Sequence, residues 1–174
     1  DRKAKLVLAP AAEPETTDLV FQVEDRKPFH ANYGVDTLGQ KTTGWIRQSV
    51  GVSHGNLTGK DDQLSVRAIV SEGAGLWGGA MGYLRPLTAT GVLGTFDLSG
   101  VKSQVRDNLK GLKARGNAVT ISPGMVMPLM RRTHWELEAT AGFDFKRVRT
   151  FEDAISTSKD GLRVLRGGIN LLQE

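Results

Sequence analysis

Cysteine is absent from this chain of 174 residues, which excludes disulfide bonds, thiol catalysis and thiolate metal sites. No run of about 18 apolar residues occurs, so the sequence also excludes a membrane-spanning helix. The first residues, DRKAK, are charged and do not form a secretory signal. We therefore expect a cytosolic product, a mature product or an internal piece of a longer protein.

Signatures of catalysis and of ligand binding are missing as well. The three histidines lack the spacing of a metal site, and Ser49, Ser65 and Ser71 have no G-x-S-x-G context. The net charge is +4, but the 23 Lys and Arg residues are dispersed and match no nucleic-acid-binding motif. The sequence thus predicts no catalytic residue, cofactor, metal or nucleic-acid partner, and an enzyme is not expected.

Alternation of apolar and polar residues is the feature that the sequence has in abundance. In the stretch 133–147, THWELEATAGFDFKR, every odd position from 135 to 145 is apolar and the even positions between them are polar or glycine. Side chains of an extended strand point alternately to its two faces. The stretch therefore predicts a strand with one polar face and one apolar face, the latter formed by Trp135, Leu137, Ala139, Ala141, Phe143 and Phe145.

Similar stretches recur along the chain between turn-forming residues. Two short strands are predicted at 4–9 and 17–25, followed by about eight longer ones in antiparallel up-and-down order. The segment 101–116 is predicted to be a long loop with at most one helical turn, and a bulge is expected near Gly167 and Gly168. The longer strands are predicted at 27–36, 45–52, 63–71, 76–84, 90–100, 118–129, 133–147 and 160–173.

Two all-β folds fit this pattern, a transmembrane barrel and a soluble sandwich or lipocalin-like barrel. Long strands joined by tight turns at one end and longer loops at the other favour the membrane barrel. Aromatic residues near strand ends favour it too, since such residues form girdles at membrane interfaces. In a barrel, the charged residues of the polar faces would line the lumen: Arg47, Arg67, Asp97, Glu136, Glu138 and Asp144.

Short motifs also follow one another in a characteristic order. The passage TTDLVFQVEDRKPFHANYGVDTLGQKTTGWIR is followed by GNLTGKDDQLSV, GYLRPL and GNAVTISPGMVMPLMRRTHWELEATAGFD. In this order the motifs resemble the outer-membrane transporters of two-partner secretion, the haemolysin-activator type (ShlB- and FhaC-like) of the BamA superfamily. Thr37 stands where that family usually has Asn, and Lys60 where it usually has Gly. The residues matching its first motif are Asp18, Leu19, Val23, Pro28, Phe29, Asp36, Gly39, Thr43 and Gly44.

The resemblance implies a domain organisation. Residues 1–26 would be the closing hairpin of a periplasmic POTRA domain, and residues 27–174 would be outer-membrane barrel strands, roughly the first eight of sixteen. The VRGY element of the family does not occur in this sequence. Half a barrel has two open edges, which lipid does not tolerate. We therefore expect closure with the missing half or a second chain, or curling into a smaller eight-stranded barrel.

The resemblance also implies a function. The chain would form part of a non-enzymatic pore in the outer membrane of a Gram-negative cell. Its partners would be the lipid bilayer and an unfolded secreted protein, which the pore conducts from the periplasm to the cell surface. The alternative is a structural or binding β-module within a larger outer-membrane assembly.

Overall fold

Antiparallel strands make up most of the described part of the chain. None of the described helices is long and apolar enough to cross a lipid bilayer, the one short helical turn being Glu72–Ala74. The computed structural model describes residues 3–10, 17–24, 27–105, 114–132, 134–152 and 155–173. The strands are β1 (Lys3–Pro10), β2 (Thr17–Glu24), β3 (Phe29–Asp36), β4 (Arg47–Gly55), β5 (Gln63–Ser71), β6 (Leu76–Pro86), β7 (Leu93–Gln104), β8 (Ala114–Arg132), β9 (Trp135–Glu152) and β10 (Ile155–Gln173).

The first two strands form a hairpin of their own. Leu6 pairs with Phe21 and Leu8 with Leu19 in an antiparallel ladder that runs the length of both strands. The two short strands predicted from the sequence are therefore confirmed.

The other eight strands form one sheet in which each strand pairs with its neighbours in sequence. Every ladder in this sheet is antiparallel. This confirms the predicted all-β, up-and-down order. The strand predicted at 63–71 has those bounds in the structure, whereas β8, β9 and β10 are each 18 or 19 residues long and exceed their predicted lengths.

Two local predictions are wrong. Residues 101–104 and 114–116 belong to β7 and β8 rather than to a loop, because they lie in the paired part of these strands, where Ser103 pairs with Gly116 and Gln104 with Arg115. The rest of the predicted loop lies outside the described residues, apart from Val105. Gly167 and Gly168 continue the ladder without a bulge, and the irregularities lie instead between Pro128 and Met130 and between 156 and 158.

The predicted separation of tight turns from long loops is also wrong. We call the end of the sheet where β3 begins its lower end, and the opposite end its upper end. The tight turn 88–91 and the short connection between β8 and β9 lie at the lower end, but so does the long loop after β4. The tight connection after β5 lies at the upper end with the longer connections after β3 and β7. Loop length therefore does not distinguish the two ends.

The sheet is open in the described part of the chain. β3 pairs only with β4, and β10 pairs only with β9. The expectation that the chain curls into a closed eight-stranded barrel is therefore wrong, because closure requires a ladder between these two edges.

The sheet has no apolar core. Among the described residues no hydrophobic side chain is buried, while large apolar side chains on most strands are exposed, up to 80% for Leu165. A sandwich or lipocalin-like barrel would bury its apolar face inside. The soluble alternatives therefore do not fit this sheet.

Candidate membrane face and polar trough

The ladder register decides which residues of different strands share a face, because directly paired residues point to the same side of a sheet. One row runs from Arg67 through Ala80, Ser99 and Thr120 to Lys146. We call its side of the sheet the inner face and the opposite side the outer face. The inner face carries all six residues predicted to line a lumen, namely Arg47, Arg67, Asp97, Glu136, Glu138 and Asp144.

The outer face carries all six residues predicted to face lipid. Phe145 pairs with Ile121, which pairs with Leu98 and then, through Met81, with Val66. The row is apolar across five strands. The six residues are Trp135, Leu137, Ala139, Ala141, Phe143 and Phe145, and the register thus separates the two predicted sets completely.

A polar trough occupies the inner face across β3 to β7. Its volume is about 720 Å³, and its polar lining includes Asn32, Gln63, Ser65, Arg67 and Asp97. A second depression of about 340 Å³ continues it towards β8 and β9. Because both depressions lie on one side of several adjacent strands, the sheet is concave on its inner face.

Glycines make room for the trough. A Cβ atom at Gly51 would collide with the amide of Asn32, and one at Gly82 would lie 3.0 Å from the Ser65 hydroxyl and 3.1 Å from a carboxylate oxygen of Asp97. Larger residues at these positions would push the polar side chains out of place. Glycine, which otherwise weakens a strand, therefore keeps the trough open here.

Ion pairs join neighbouring strands on the inner face. Arg47 donates to Asp36 at 2.8 Å between β3 and β4, and Arg166 donates to Asp144 at 2.7 Å between β9 and β10. A third pair, Arg131 with Glu136, joins β8 to β9. Pairs of this exposure contribute little to stability, because solvent screens their attraction. They place charges of both signs next to each other on the inner face.

Arg67 and Asp97 differ from those pairs. Within the described part of the chain neither forms an ion pair, and both line the trough. They offer a cation and an anion to whatever occupies it. A wall of mixed charge and many hydroxyl groups can hydrogen-bond an extended polypeptide without holding any one segment tightly.

Aromatic side chains mark the margins of the apolar outer face. Trp77 lies at its upper margin, where Lys102 sits 6.0 Å from the ring centroid, and Trp135 lies at its lower margin. Phe143 and Phe145, with ring centroids 4.5 Å apart, lie near the upper margin on β9. Tryptophan and lysine together at such a margin are typical of the headgroup level of a membrane.

The apolar band crosses the strands obliquely. At its upper margin the first charged residue is Lys102 on β7, Arg147 on β9 and Arg163 on β10. By register, Arg163 lies four residues below the row of Lys102, three strands away. With about 3.4 Å per residue and 4.8 Å between strands, this slope is about 45°. Strands that cross a bilayer in a barrel have a tilt of this size.

Two buried polar residues hold loops against the sheet. Neither was predicted from the sequence to be a site residue. Asp62, 1% exposed, accepts hydrogen bonds from the Thr58 backbone at 2.9 Å and from the Tyr83 hydroxyl at 3.0 Å. Burial raises the pKa of Asp62, but these hydrogen bonds outweigh it and lower the pKa below 3.8. At the other end Ser71 bonds to Thr43 and to the Leu76 backbone. Asp62 belongs to the motif GNLTGKDDQLSV, which is the sequence signal that could have identified it.

Known proteins resemble this chain in sequence. A family model described as haemolysin secretion/activation protein ShlB/FhaC/HecB matches residues 15–173. The heme/hemopexin transporter protein HuxB of Haemophilus influenzae strain 86-028NP is 23% identical over 160 residues, which cover 90% of this chain and 28% of HuxB. HuxB of strain ATCC 51907 is 24% identical over 172 residues, covering 96% and 30%. The chain thus spans less than a third of these relatives.

Two solved structures share the fold. CdiB from Escherichia coli superimposes with a TM-score of 0.85 at 19% identity, covering 98% of this chain and 33% of CdiB. CdiB from Acinetobacter baumannii gives a TM-score of 0.69 at 13% identity, covering all of this chain and 34% of that one. The hairpin and open sheet are therefore an arrangement that already exists within larger proteins.

Proposed function

Because this chain belongs to the family of haemolysin secretion/activation proteins, we propose that it forms part of a two-partner secretion transporter of the outer membrane in a Gram-negative cell. The transporter would move a secreted polypeptide from the periplasm to the cell surface without catalysis. The observation that carries the proposal is the division of the sheet into an uncovered apolar outer face and a concave polar inner face.

The outer face supports the membrane part of the proposal. An apolar surface that extends over eight strands is costly in water, at roughly 25 cal/mol per Å². Lipid is the solvent that removes this cost, and the oblique margins give the strands the tilt of a bilayer-spanning barrel. The residues of the outer face, Ala139 and Ala141 among them, would contact the acyl chains of the lipid.

The inner face supports the transport part. It would line the lumen, with the trough as the surface along which the cargo moves. An unfolded polypeptide exposes backbone donors and acceptors and side chains of both charges, and Arg67, Asp97 and the serines of the trough can pair with each briefly. No single strong site would trap the chain.

The hairpin β1–β2 sets the orientation in the membrane. We propose that residues 1–26 close a periplasmic POTRA-like domain and that residues 27–174 are barrel strands. The lower end of the sheet, where β3 begins, would then face the periplasm, and the upper end the cell surface. The open edges of β3 and β10 would pair with further strands of the transporter or with a second chain.

A scaffold role within a larger outer-membrane assembly is the second candidate. The observation that favours it is that β3 and β10 each have one neighbour in the described part of the chain, so both edges are free to pair with another protein. In that case the trough would be filled by a partner rather than crossed by a cargo.

Adjacent residues on opposite faces provide the test. Because the 174 residues contain no cysteine, Arg67→Cys and Val66→Cys each give a single thiol within this part of the transporter. With a secreted protein stalled in transit, we expect a thiol crosslink to the cargo at position 67 and none at position 66. A lipid-soluble quencher should quench a fluorophore attached at position 66 and should leave one attached at position 67 unquenched.

The outcomes separate the candidates. Crosslinking at both positions, or at 66 alone, contradicts the assignment of the faces. Normal membrane insertion with no cargo at position 67, together with no channel conductance in liposomes, contradicts the pore and favours the scaffold.

A further inference from the structure

Charge is divided between the two faces of the sheet in an uneven way. In the described strands β3 to β10, every Asp and Glu side chain belongs to the inner face by register. The outer face carries cations and no acidic residue in the same strands. The outer-face cations are Arg85, Lys102, Arg115, Arg132, Arg147, Arg149, Lys159 and Arg163.

Most of these cations lie together above the apolar band. Arg85 and Arg132 lie at its lower margin. The other six lie on β7 to β10 at or above its upper margin, and we call them the cationic patch. Its members are Lys102, Arg115, Arg147, Arg149, Lys159 and Arg163.

The patch is not neutralised by the described part of the chain. The described ion pairs all lie on the inner face and include none of its members. Arg149 pairs directly with Lys159 across β9 and β10, and like charges in that position destabilise a sheet. Lys102 is the one member with a described contact, over the ring of Trp77. The remaining members are exposed or half-buried and point away from every acidic residue of the sheet.

The neighbourhood specifies the kind of anion that would fit. Directly below the patch the outer face is apolar, with Leu165 and Phe145 adjoining Arg163. A ligand that fills both surfaces needs an acyl chain and, above it, a strongly acidic headgroup. Guanidinium groups bind phosphate oxygens through paired hydrogen bonds, so a phosphorylated headgroup fits four arginines better than a carboxylate does.

We propose that the cationic patch binds the phosphate groups of lipid A in the outer leaflet of the outer membrane. The choice of leaflet rests on the proposed function, which places the upper end of the sheet at the cell surface. The lipid would hold β7 to β10 at a fixed depth in the membrane. Its acyl chains would lie on the apolar band, and its phosphates on the outer face of β9 and β10, beside Arg147, Arg149 and Lys159.

Lipid retention by the full-length transporter tests the proposal. The protein is reconstituted in phosphatidylcholine vesicles with a small fraction of bisphosphorylated lipid A, repurified, and assayed for bound lipid A by mass spectrometry. The fourfold substitution Arg147→Gln, Arg149→Gln, Lys159→Gln and Arg163→Gln should lower the apparent affinity at low salt at least about tenfold, since each cation near a membrane surface contributes severalfold.

The matched control is the pair Arg85→Gln and Arg132→Gln, which removes cations from the same face at the opposite margin. It should leave retention within about twofold of the unchanged protein, because these residues lie away from the patch. Equal retention by the fourfold variant overturns the proposal. So does an equal loss in the control, or equal retention of dephosphorylated lipid A by the unchanged protein.

A salt titration keeps the test decisive if the fourfold variant fails to assemble. Retention by the unchanged protein should fall steeply between low and physiological salt, and salt-independent retention overturns the proposal. Cargo secretion is measured in parallel. Lipid A binding without secretion contradicts the proposed function alone, whereas secretion without phosphate-dependent binding contradicts the patch alone.

Discussion

At the scale of single residues, Asp62 shows how one side chain can position a whole loop. Its carboxylate lies among the Thr58 amide and the Tyr83 hydroxyl, and its own carbonyl accepts from the amide of Asn56. Three positions of the chain are thereby held against the lower end of the sheet. Each of the three oxygen atoms of Asp62 accepts a hydrogen bond, so its burial leaves none of them without a partner.

Replacing Asp62 with alanine should free this loop. We expect amide exchange at Thr58 to become roughly tenfold faster, because the N–H loses its acceptor. Hydrogen exchange with mass spectrometry measures this, and Asp97→Ala, which removes a carboxylate from the trough wall, should leave the loop unchanged. Equal protection in both variants would show that Asp62 does not hold the loop.

The same carboxylate gives a pH dependence. The pKa of Asp62 is lower in the folded protein than its ordinary value of 3.8, so folding favours the ionised form. The stabilisation is therefore complete above about pH 4 and is lost as pH falls through the folded pKa. Loop protection, corrected for intrinsic exchange rates, should decline in that range and show no such step in Asp62→Ala.

The face of the sheet to which a residue belongs was predictable where it depends on local alternation. The twelve residues predicted to face lumen or lipid divide between the two faces because alternation along a strand is a local property. Asp62 was not predictable in this way, since its partner Tyr83 is 21 residues away. Leu129 stands two residues after Met127, as a same-face residue of a regular strand would, but the irregularity between Pro128 and Met130 leaves it outside the ladder.

At the scale of elements, β9 separates two environments with a single-residue step. Ala139 lies near the middle of its apolar outer stretch, and Glu138 lies beside it on the inner face. If the outer face meets lipid, a cation at 139 would stand near the bilayer centre. Its cost there would be about 2–4 kcal/mol, falling towards zero at the margins.

Ala139→Arg should therefore block or strongly reduce assembly in the outer membrane, while Glu138→Arg should be tolerated. The measurement is the amount of heat-modifiable, folded transporter in the membrane fraction. Ala141→Arg, one outer-face position further along β9, should behave like Ala139→Arg. Tolerance at both alanines combined with failure at Glu138 would reverse the assignment of the two faces.

Strand lengths were less predictable than strand existence. Residues 101–104 and 114–116 contain Lys102, Arg115 and Gly116, whose polarity and flexibility are typical of a loop. They form strands because β7 and β8 pair across a hairpin, so that each provides the hydrogen-bond partners of the other. Above the apolar band the outer face is polar as well, so alternation no longer marks a strand there.

At the scale of the whole molecule, the open edges of β3 and β10 determine how the sheet associates with other strands. Within the residues that the structure describes, each edge presents a row of backbone donors and acceptors without a neighbouring strand, and lipid cannot satisfy them. The apolar exposure of β10 is high, with Leu165 80% and Ile169 72% exposed. Strand order could be predicted from sequence, because consecutive strands pair, whereas closure depends on strands or chains that these residues do not include.

A polypeptide of these 174 residues, purified in detergent, should therefore self-associate through its edges. Leu165→Lys with Ile169→Lys should shift it towards the monomer, because lysines on an edge strand oppose pairing. Light scattering after gel filtration measures the change. Val119→Lys with Ile121→Lys, on the same face of the central strand β8, is the control, and equal dissociation by both pairs would point to association through the apolar face instead.

The trough has a mechanical consequence. Gly34, Gly51 and Gly82 on the inner face stand beside larger residues on the outer one, such as Tyr33 and Met81. A sheet with a thin layer of side chains on one surface and a thick layer on the other has a preferred direction of bending, towards the thin layer. The same small residues that leave room in the trough thus give the sheet an intrinsic curvature, and widening a lumen lined by this face would mean bending the sheet against its rest shape.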